Sequence, residues 1–354
     1  MWKSWWHRWV APHWRIGFLQ NTLEEVIAGA EPEVRWMIHQ HRGGWFADTF
    51  VLDVTDTTIS LLAEEFRFKT GKGRIVRLDV ERETFELEKL TVLIDDCHLS
   101  FPFVLLPTEG SKAVGERQLG ASYGLSGHDF CRDSAKQASL MAFTAPNYVL
   151  SGHDFCRDSA KLMQASLALA APKIQSSECN DAFLFGGEQR RLRDVMIFPE
   201  TGKEGQWRCY RLDLETNECV MDHVVCEEPL VDAVIYENSV FATTISDPNG
   251  KNLSIYELCE NSFQLVRTIT FDEKVARNAG AFFKIGEKVY RPAQECNEWY
   301  GHALSIQEFK NGEFKEVRRI PGFHTLNSYQ GVTVVDAKQF PRQWVYKMIR
   351  KSDL

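Results

Sequence analysis

Short runs in which apolar and polar residues alternate recur along most of the chain, each closed by a polar turn, and this period of two predicts β-strands. Arg74-Ile-Val-Arg-Leu78-Asp-Val-Glu81 is echoed by Arg208-Cys-Tyr-Arg-Leu212-Asp-Leu-Glu215. A second echo joins Leu253-Ser-Ile-Tyr-Glu-Leu258 to Leu304-Ser-Ile-Gln-Glu-Phe309. The latter run is followed by Asn311-Gly312, a pair suited to a hairpin turn because both residues tolerate positive φ. A similar turn is expected at Glu260-Asn261. Two short strands precede each of these hairpins, as in FADTFVLDVTDTTISLLAEE, VDAVIYENSVFATTI and GAFFKIGEKVYRPAQE. Four short strands per unit, repeated, predict the blades of a β-propeller.

The expected architecture is therefore an all-β, five-bladed β-propeller over residues 14–338, followed by a C-terminal tail at 339–354. Blade one is expected at Phe46 to Leu93, blade two at Leu99 to Val225, blade three at Leu230 to Thr268 and blade four at Ala276 to Arg318. Blade five would join strands around Phe323 to Lys338 with an N-terminal strand near Trp14 to Leu19, closing the ring without a free edge.

Blade two has to accommodate residues 111–174, whose pattern is different. There Leu125 to Lys136 recurs almost literally as Leu150 to Lys161, which indicates a local tandem duplication. Ser126 and Ser151 stand three residues before Asp129 and Asp154, near to a capping box, and Ala-, Leu- and Met-rich stretches follow. A helical insertion with two helices is expected. His128, Asp129, Cys131 and Asp133, with their copies His153, Asp154, Cys156 and Asp158, point in several directions on a helix and read as its solvated start in preference to a metal site.

A chain of 354 residues with a net charge of −8 and no concentrated Lys/Arg surface argues against a nucleic-acid partner. No apolar run is long enough to predict a transmembrane segment. The start, MWKSWWHRWVAPHW, lacks an aliphatic core and a cleavage site, so a cytoplasmic location is expected, with Trp2, Trp5, Trp6 and Trp9 packing on the body of the protein rather than on a membrane or partner. The nine cysteines are scattered without a CxxC pair, which predicts reduced thiols and no structural zinc. No EF-hand-like run is present, and no obligatory metal or other cofactor is expected.

Propellers bind ligands where their first strands converge on the central channel. Polar residues open those strands here: Asp48, His98 with Ser100, Asp232, Arg277 with Asn278, and His324 with Thr325 and Asn327. A second set ends the next strands: Glu64 and Glu65, Glu200, then Arg291, Gln294 and Glu295. Carboxylates converging on one cavity are what glycoside hydrolysis requires, one protonating the leaving oxygen while another activates water. Trp45, Phe46, Phe101, Trp299 and Tyr300 are candidates for an aromatic sugar platform, or equally for blade core.

FADTF, HLSFPFV, MIFPETG, YRPAQECNEWYG and GFHTLN, in this order, resemble the five-bladed propeller domain at the N-terminus of plant glucosamine inositolphosphorylceramide transferases. They also resemble the furanosidase-type propellers of glycoside hydrolase family 43. That resemblance implies a blade-one Asp as general base, matching Asp48, and a blade-three Asp that tunes the acid, matching Asp232. Its blade-four acid is replaced here by Arg277-Asn-Ala-Gly280, so Glu200, or Glu295, would have to act as acid. Thr49 follows Asp48 where the family often has Pro. The transferase domain that accompanies the plant propeller is not part of this chain. The expected function is a glycosidase-like propeller acting on a carbohydrate, with catalytic residues Asp48, Glu200 and Asp232 and ligand contacts from His98, Ser100, Arg291, Gln294, Glu295, Trp299, His324 and Asn327. The alternatives are a non-catalytic glycan-binding module and an interaction scaffold that docks a protein on the inserted helices.

Overall fold

The computed structural model describes residues 12–106, 194–202, 205–259 and 262–339. The duplicated insertion, the N-terminal tryptophan cluster, the Glu260-Asn261 turn and residues 340–354 lie outside the described residues.

The described chain forms five four-stranded antiparallel sheets. Blade one contains β3 (Gly44–Val54), β4 (Thr58–Arg67), β5 (Lys72–Glu81) and β6 (Leu87–Ile94). Blade two contains β7 (Ser100–Leu105), β8 (Asp194–Glu200), β9 (Trp207–Asp213) and β10 (Cys219–Cys226). Blade three runs through β11 (Leu230–Tyr236), β12 (Ser239–Thr244), β13 (Asn252–Cys259) and β14 (Ser262–Thr270). Blade four runs through β15 (Phe283–Ile285), β16 (Lys288–Glu295), β17 (Ala303–Lys310) and β18 (Glu313–Pro321). The echoed sequence runs are the third strands of their blades, and Asn311 and Gly312 turn β17 into β18 at φ 55° and 77°.

Blade five closes the ring. Its inner strands are β19 (Phe323–Tyr329) and β20 (Val332–Gln339), and β1 (His13–Leu19) pairs with β20 on one side and with β2 (Val34–Trp36) on the other. The first and last described strands thus hydrogen-bond to each other, and separating them would expose strand edges on both. Between β1 and β2 stands one short helix, α1 (Leu23–Ala28). Thr22 and Glu25 cap it reciprocally, and Gly29 ends it in the left-handed conformation. Neither α1 nor β2 is foreseen by the alternation, because each is too short to show a period.

Blade four departs from the expected start at Ala276. Only Phe283–Ile285 forms a continuous inner strand, and the preceding segment meets β16 through the single bridge Asn278↔Ala293. Gly280 explains the break: its φ is 156°, and a Cβ there would lie 2.0 Å from the Leu326 carbonyl oxygen. The close approach lets Leu326 N–H donate to Ala279 O at 2.8 Å, which ties blade five to blade four.

The cores lie between adjacent sheets. Phe50, Phe101, Phe103, Phe198 and Trp207 run from blade one into blade two, with Phe50 and Phe101 edge to face at 5.2 Å. Ile16, Phe18 and Val334 join blade five to Leu61, Val76 and Leu78 of blade one. No helix among the described residues is long and apolar enough to cross a membrane.

Candidate functional site

The innermost strands of blades one, two, three and five each break register at the same place. The irregularities fall between Ala47 and Phe50, Ser100 and Phe103, Val231 and Val234, and Phe323 and Thr325. At the first three, Asp48, Phe101 and Asp232 hold positive φ values of 53°, 42° and 44°. A bulge re-aims the side chain it carries. For a residue as bulky as phenylalanine, positive φ is strained, of a kind that persists only where the surroundings enforce it.

The bulges are stitched to one another around the ring. Asp48 N–H donates to Asp336 Oδ2 of blade five at 2.8 Å, and Phe101 N–H of blade two donates to Asp48 Oδ2 at 3.2 Å. Asp232 N–H of blade three donates to Glu200 Oε2 of blade two at 3.3 Å. Asn278 Nδ2 of blade four donates to Asp232 O at 2.7 Å, and Ala281 N–H donates to Asn327 Oδ1 of blade five at 2.8 Å. Asn327 completes the circle by donating from Nδ2 to Thr49 O at 2.8 Å. Every neighbouring pair of blades is therefore joined at the level of the acidic residues.

The register also aligns the next ring. Glu64 faces Ala47 across β3 and β4, Glu200 faces Ser100 across β7 and β8, and Gln294 N–H donates to Arg277 O at 2.8 Å. Glu64, Glu200 and Gln294 thus occupy equivalent places beside their blades' inner strands. Asp336 of β20 lies opposite Thr325 in blade five. Asp48, Glu64, Asp232, Gln294, His324 and Asp336 are all buried, while Glu200, Arg277 and Tyr300 retain some exposure. Solvent reaches the cluster on the side of these last three residues.

Burial without full pairing sets the proton affinities. Asp48 is raised to about 7, first by burial and then by the charges of Asp232 and Asp336, against the opposing pull of His324 and Arg277. Burial, followed by the charges of Asp48 and Glu200, lifts Glu64 well above the ordinary carboxylate range. Glu200 is lifted likewise by burial and then by the charge of Asp232. Asp336 is the opposite case: burial alone would raise it, but His324 and the N–H donors of Asp48 and Thr325 outweigh that and hold it low. His324 is raised because Asp336 and Asp48 overcome the effect of burial. Its Nδ1 lies 3.2 Å from Asp336 and 3.5 Å from Asp48 Oδ1, and its Nε2 pairs with Tyr300 Oη at 2.7 Å. The ring rests on Trp14 at 4.2 Å.

Arg277 spans the exposed side. Its guanidinium donates to both oxygens of Asp232, to Asn249 and, at 3.5 Å, to Glu200 Oε2, and it lies 4.7 Å over the Tyr300 ring. Gln294 Nε2 donates to Asp232 Oδ2 at 2.7 Å. Asp48 Oδ1, Gln294 Oε1 and Thr325 Oγ1 are buried and make no hydrogen bond among the described residues. Such acceptors are uncommon in a folded protein unless water or a ligand satisfies them.

The structure brings together Asp48, Glu200, Asp232, Gln294 and His324 of the expected set, together with Arg277 and Tyr300. The remaining residues have other surroundings. Arg291 is fully buried inside blade four, donating to Asn278, Gln307 and the carbonyls of Val275 and Ala276, and burial lowers its pKa to about 9. Glu295 binds His302 Nδ1 at 2.5 Å and the Asn297 N–H, while Glu65 binds Arg74 and His41. His98 Nδ1 accepts from Gly73 N–H, and Ser100 lies in the β7 ladder opposite Glu200. Trp299 is exposed beside His302, Trp45 stacks on Phe66, and Phe46 and Phe101 lie in the cores.

Asp336 is the member that sequence reasoning missed. Its one signal is a carboxylate that directly follows two valines in a strand, Val334-Val335-Asp336. Asp48, His324 and Asp336 each offer one ligand atom, all within 4.8 Å of one another, so the cluster has the donors for a cation as well as for a proton. A separate, largely apolar cavity of about 240 Å³ lies along the inner strands between Phe50, Val104, Ala281 and Tyr329 and contains none of these carboxylates.

No protein-family profile matches the chain, and no curated protein matches it. Among solved structures, the apo form of AtxE2 isopeptidase aligns at 12% identity and a TM-score of 0.20. The alignment covers 78% of this chain and 34% of that one, so this chain spans about a third of that protein's length. The five-bladed propeller stands on the strand order described above.

Proposed function

We propose that the chain is a carbohydrate-active propeller with glycosidase-type chemistry at the ring of bulges. The observation that carries the reading is the convergence of buried carboxyls from different blades on one partly open cluster, where Asp48, Glu200 and Asp232 are linked through Asp336, Phe101 and Arg277. Glu200 keeps its proton well above the ordinary range on the side open to solvent, whereas Asp48 loses its proton at about 7. One acid and one base brought from different blades are the pair that glycoside hydrolysis needs. In this scheme Glu200 protonates the leaving oxygen, and Asp48 takes a proton from the attacking water. Asp232 acts through Glu200: its charge raises the acid's proton affinity, and its N–H orients the carboxyl. Tyr300 and Arg277 border the entrance. The likeness of the motifs to family 43 propellers is in keeping with the Asp48 and Asp232 assignments.

Arg277 favours a second reading, a glycan-binding module without turnover. Its contact with Glu200 opposes the protonated form, and it holds both oxygens of Asp232. Hydrolysis of a panel of aryl pentosides and hexosides by the purified protein, beside folded Asp48→Asn and Glu200→Gln variants, separates the two. Turnover abolished by either substitution supports the acid and base assignment. Turnover that survives both overturns it, and binding to a glycan array without turnover establishes the module.

A further inference from the structure

We propose that the propeller carries a second ligand site, further along the inner strands than the carboxylates, and that it takes an uncharged aromatic ring. The site is the cavity of about 240 Å³ between Phe50, Val104, Ala281 and Tyr329. Four of the five blades supply its wall, through β3, β7, the segment that leads into β15, and β19. Chain direction sets it apart from the ring of bulges. Phe50 follows Asp48 on β3, Val104 follows Phe101 on β7, and Tyr329 follows His324 on β19. Asn327 stands between the two sites: its Oδ1 accepts from Ala281 N–H at 2.8 Å, and its Nδ2 donates to Thr49 O at 2.8 Å in the bulge of blade one.

Blade four leaves the space open, because its inner strand is broken there and the wall residue it supplies is the small Ala281. Protein interiors pack closely, and voids larger than a water molecule are few. Water is a poor occupant of this one, since it needs two to four polar partners. Both ends of the Asn327 amide are engaged, and Ser328 Oγ accepts from Thr333 Oγ1 at 2.9 Å. Among the described residues no charged side chain lines the cavity, so an ion finds no counter-charge. Size selects the ligand. An apolar cavity of about 150 Å³ holds benzene, whereas drug-sized pockets begin near about 300 Å³. A volume of about 240 Å³ therefore fits one ring, or a fused pair such as indole. Phe50 and Tyr329 offer aromatic partners, and Phe50 already meets Phe101 edge to face, a geometry that a ligand ring can extend. Ser328 is exposed and marks the mouth.

The test is calorimetric titration of the purified full chain with indole, beside benzoate as a ring of similar kind that carries a charge. The wild type should bind one equivalent of indole with a Kd of about 1 mM or tighter, and benzoate at least about tenfold more weakly. Ala281→Leu places a side chain in the void and should weaken indole binding by about tenfold or more. Val104→Phe fills the same space from blade two and should do likewise; Val104 is only partly buried, so this variant decides if Ala281→Leu fails to fold. Three results would overturn the site. One is the absence of saturable indole binding to the wild type, the result that a cavity closed by the chain itself would give. The others are unchanged indole affinity in a folded variant and equal affinity for benzoate. Sugar turnover does not enter the readout, so the site stands or falls apart from the glycosidase reading.

Discussion

Asp48→Asn should make the protein more stable at alkaline pH and leave it nearly unchanged in acid. Asp48 is buried and its pKa is raised from 3.8 to about 7. Between those values the folded state holds a proton that the unfolded chain has released, so stability falls as pH rises through that window. At about 1.4 kcal/mol per unit, the full effect is on the order of 4 kcal/mol, reached above about pH 7 and absent below about pH 4. Asparagine is neutral throughout and so lacks this penalty. Its side-chain oxygen can still accept from Phe101 N–H, and it tolerates the positive φ of 53° as well as aspartate does. Denaturant titrations of both proteins from about pH 4 to about pH 8 should give a stability difference near zero at the acid end, growing to several kcal/mol in favour of the variant. A difference independent of pH would show that Asp48 is ionised in the folded ring throughout, supported by His324, and would remove the basis for treating it as a base poised near neutrality.

Asp232→Asn removes the charge that follows burial as the main cause of Glu200's raised affinity, and it releases Arg277 toward Glu200. The carboxyl infrared band of Glu200, identified by its loss in Glu200→Gln, should then titrate at lower pH, and an unmoved titration would refute the coupling. Arg291→Lys should cost roughly 3 kcal/mol in thermal or chemical unfolding, because an ammonium cannot reach Asn278, Gln307 and two carbonyls together. Glycan affinity of the folded fraction should stay the same, and a loss of affinity without loss of stability would return Arg291 to the binding site.

Alternation, turn residues and the echoed third strands were enough to determine a five-bladed propeller and the strands on which Asp48, Glu200, Asp232 and His324 lie. Side-chain period and turn chemistry act over a few residues, so they are written locally. Blade four's broken inner strand, where Gly280 meets Leu326, and the partnership of Asp336 with Asp48 were decided by contacts between blades, among residues far apart in sequence. So was the fate of similar-looking polar residues. Gln294 and Arg291 are three positions apart in one strand, yet one meets Asp232 and the other serves as the polar centre of its own blade. Adjacent carboxylates Glu64 and Glu65 also part company, since successive side chains on a strand face opposite sides. Sequence names the residue types available to the channel. Only the register of each bulge, and the burial that follows from closing the ring, determines which carboxyls keep their protons.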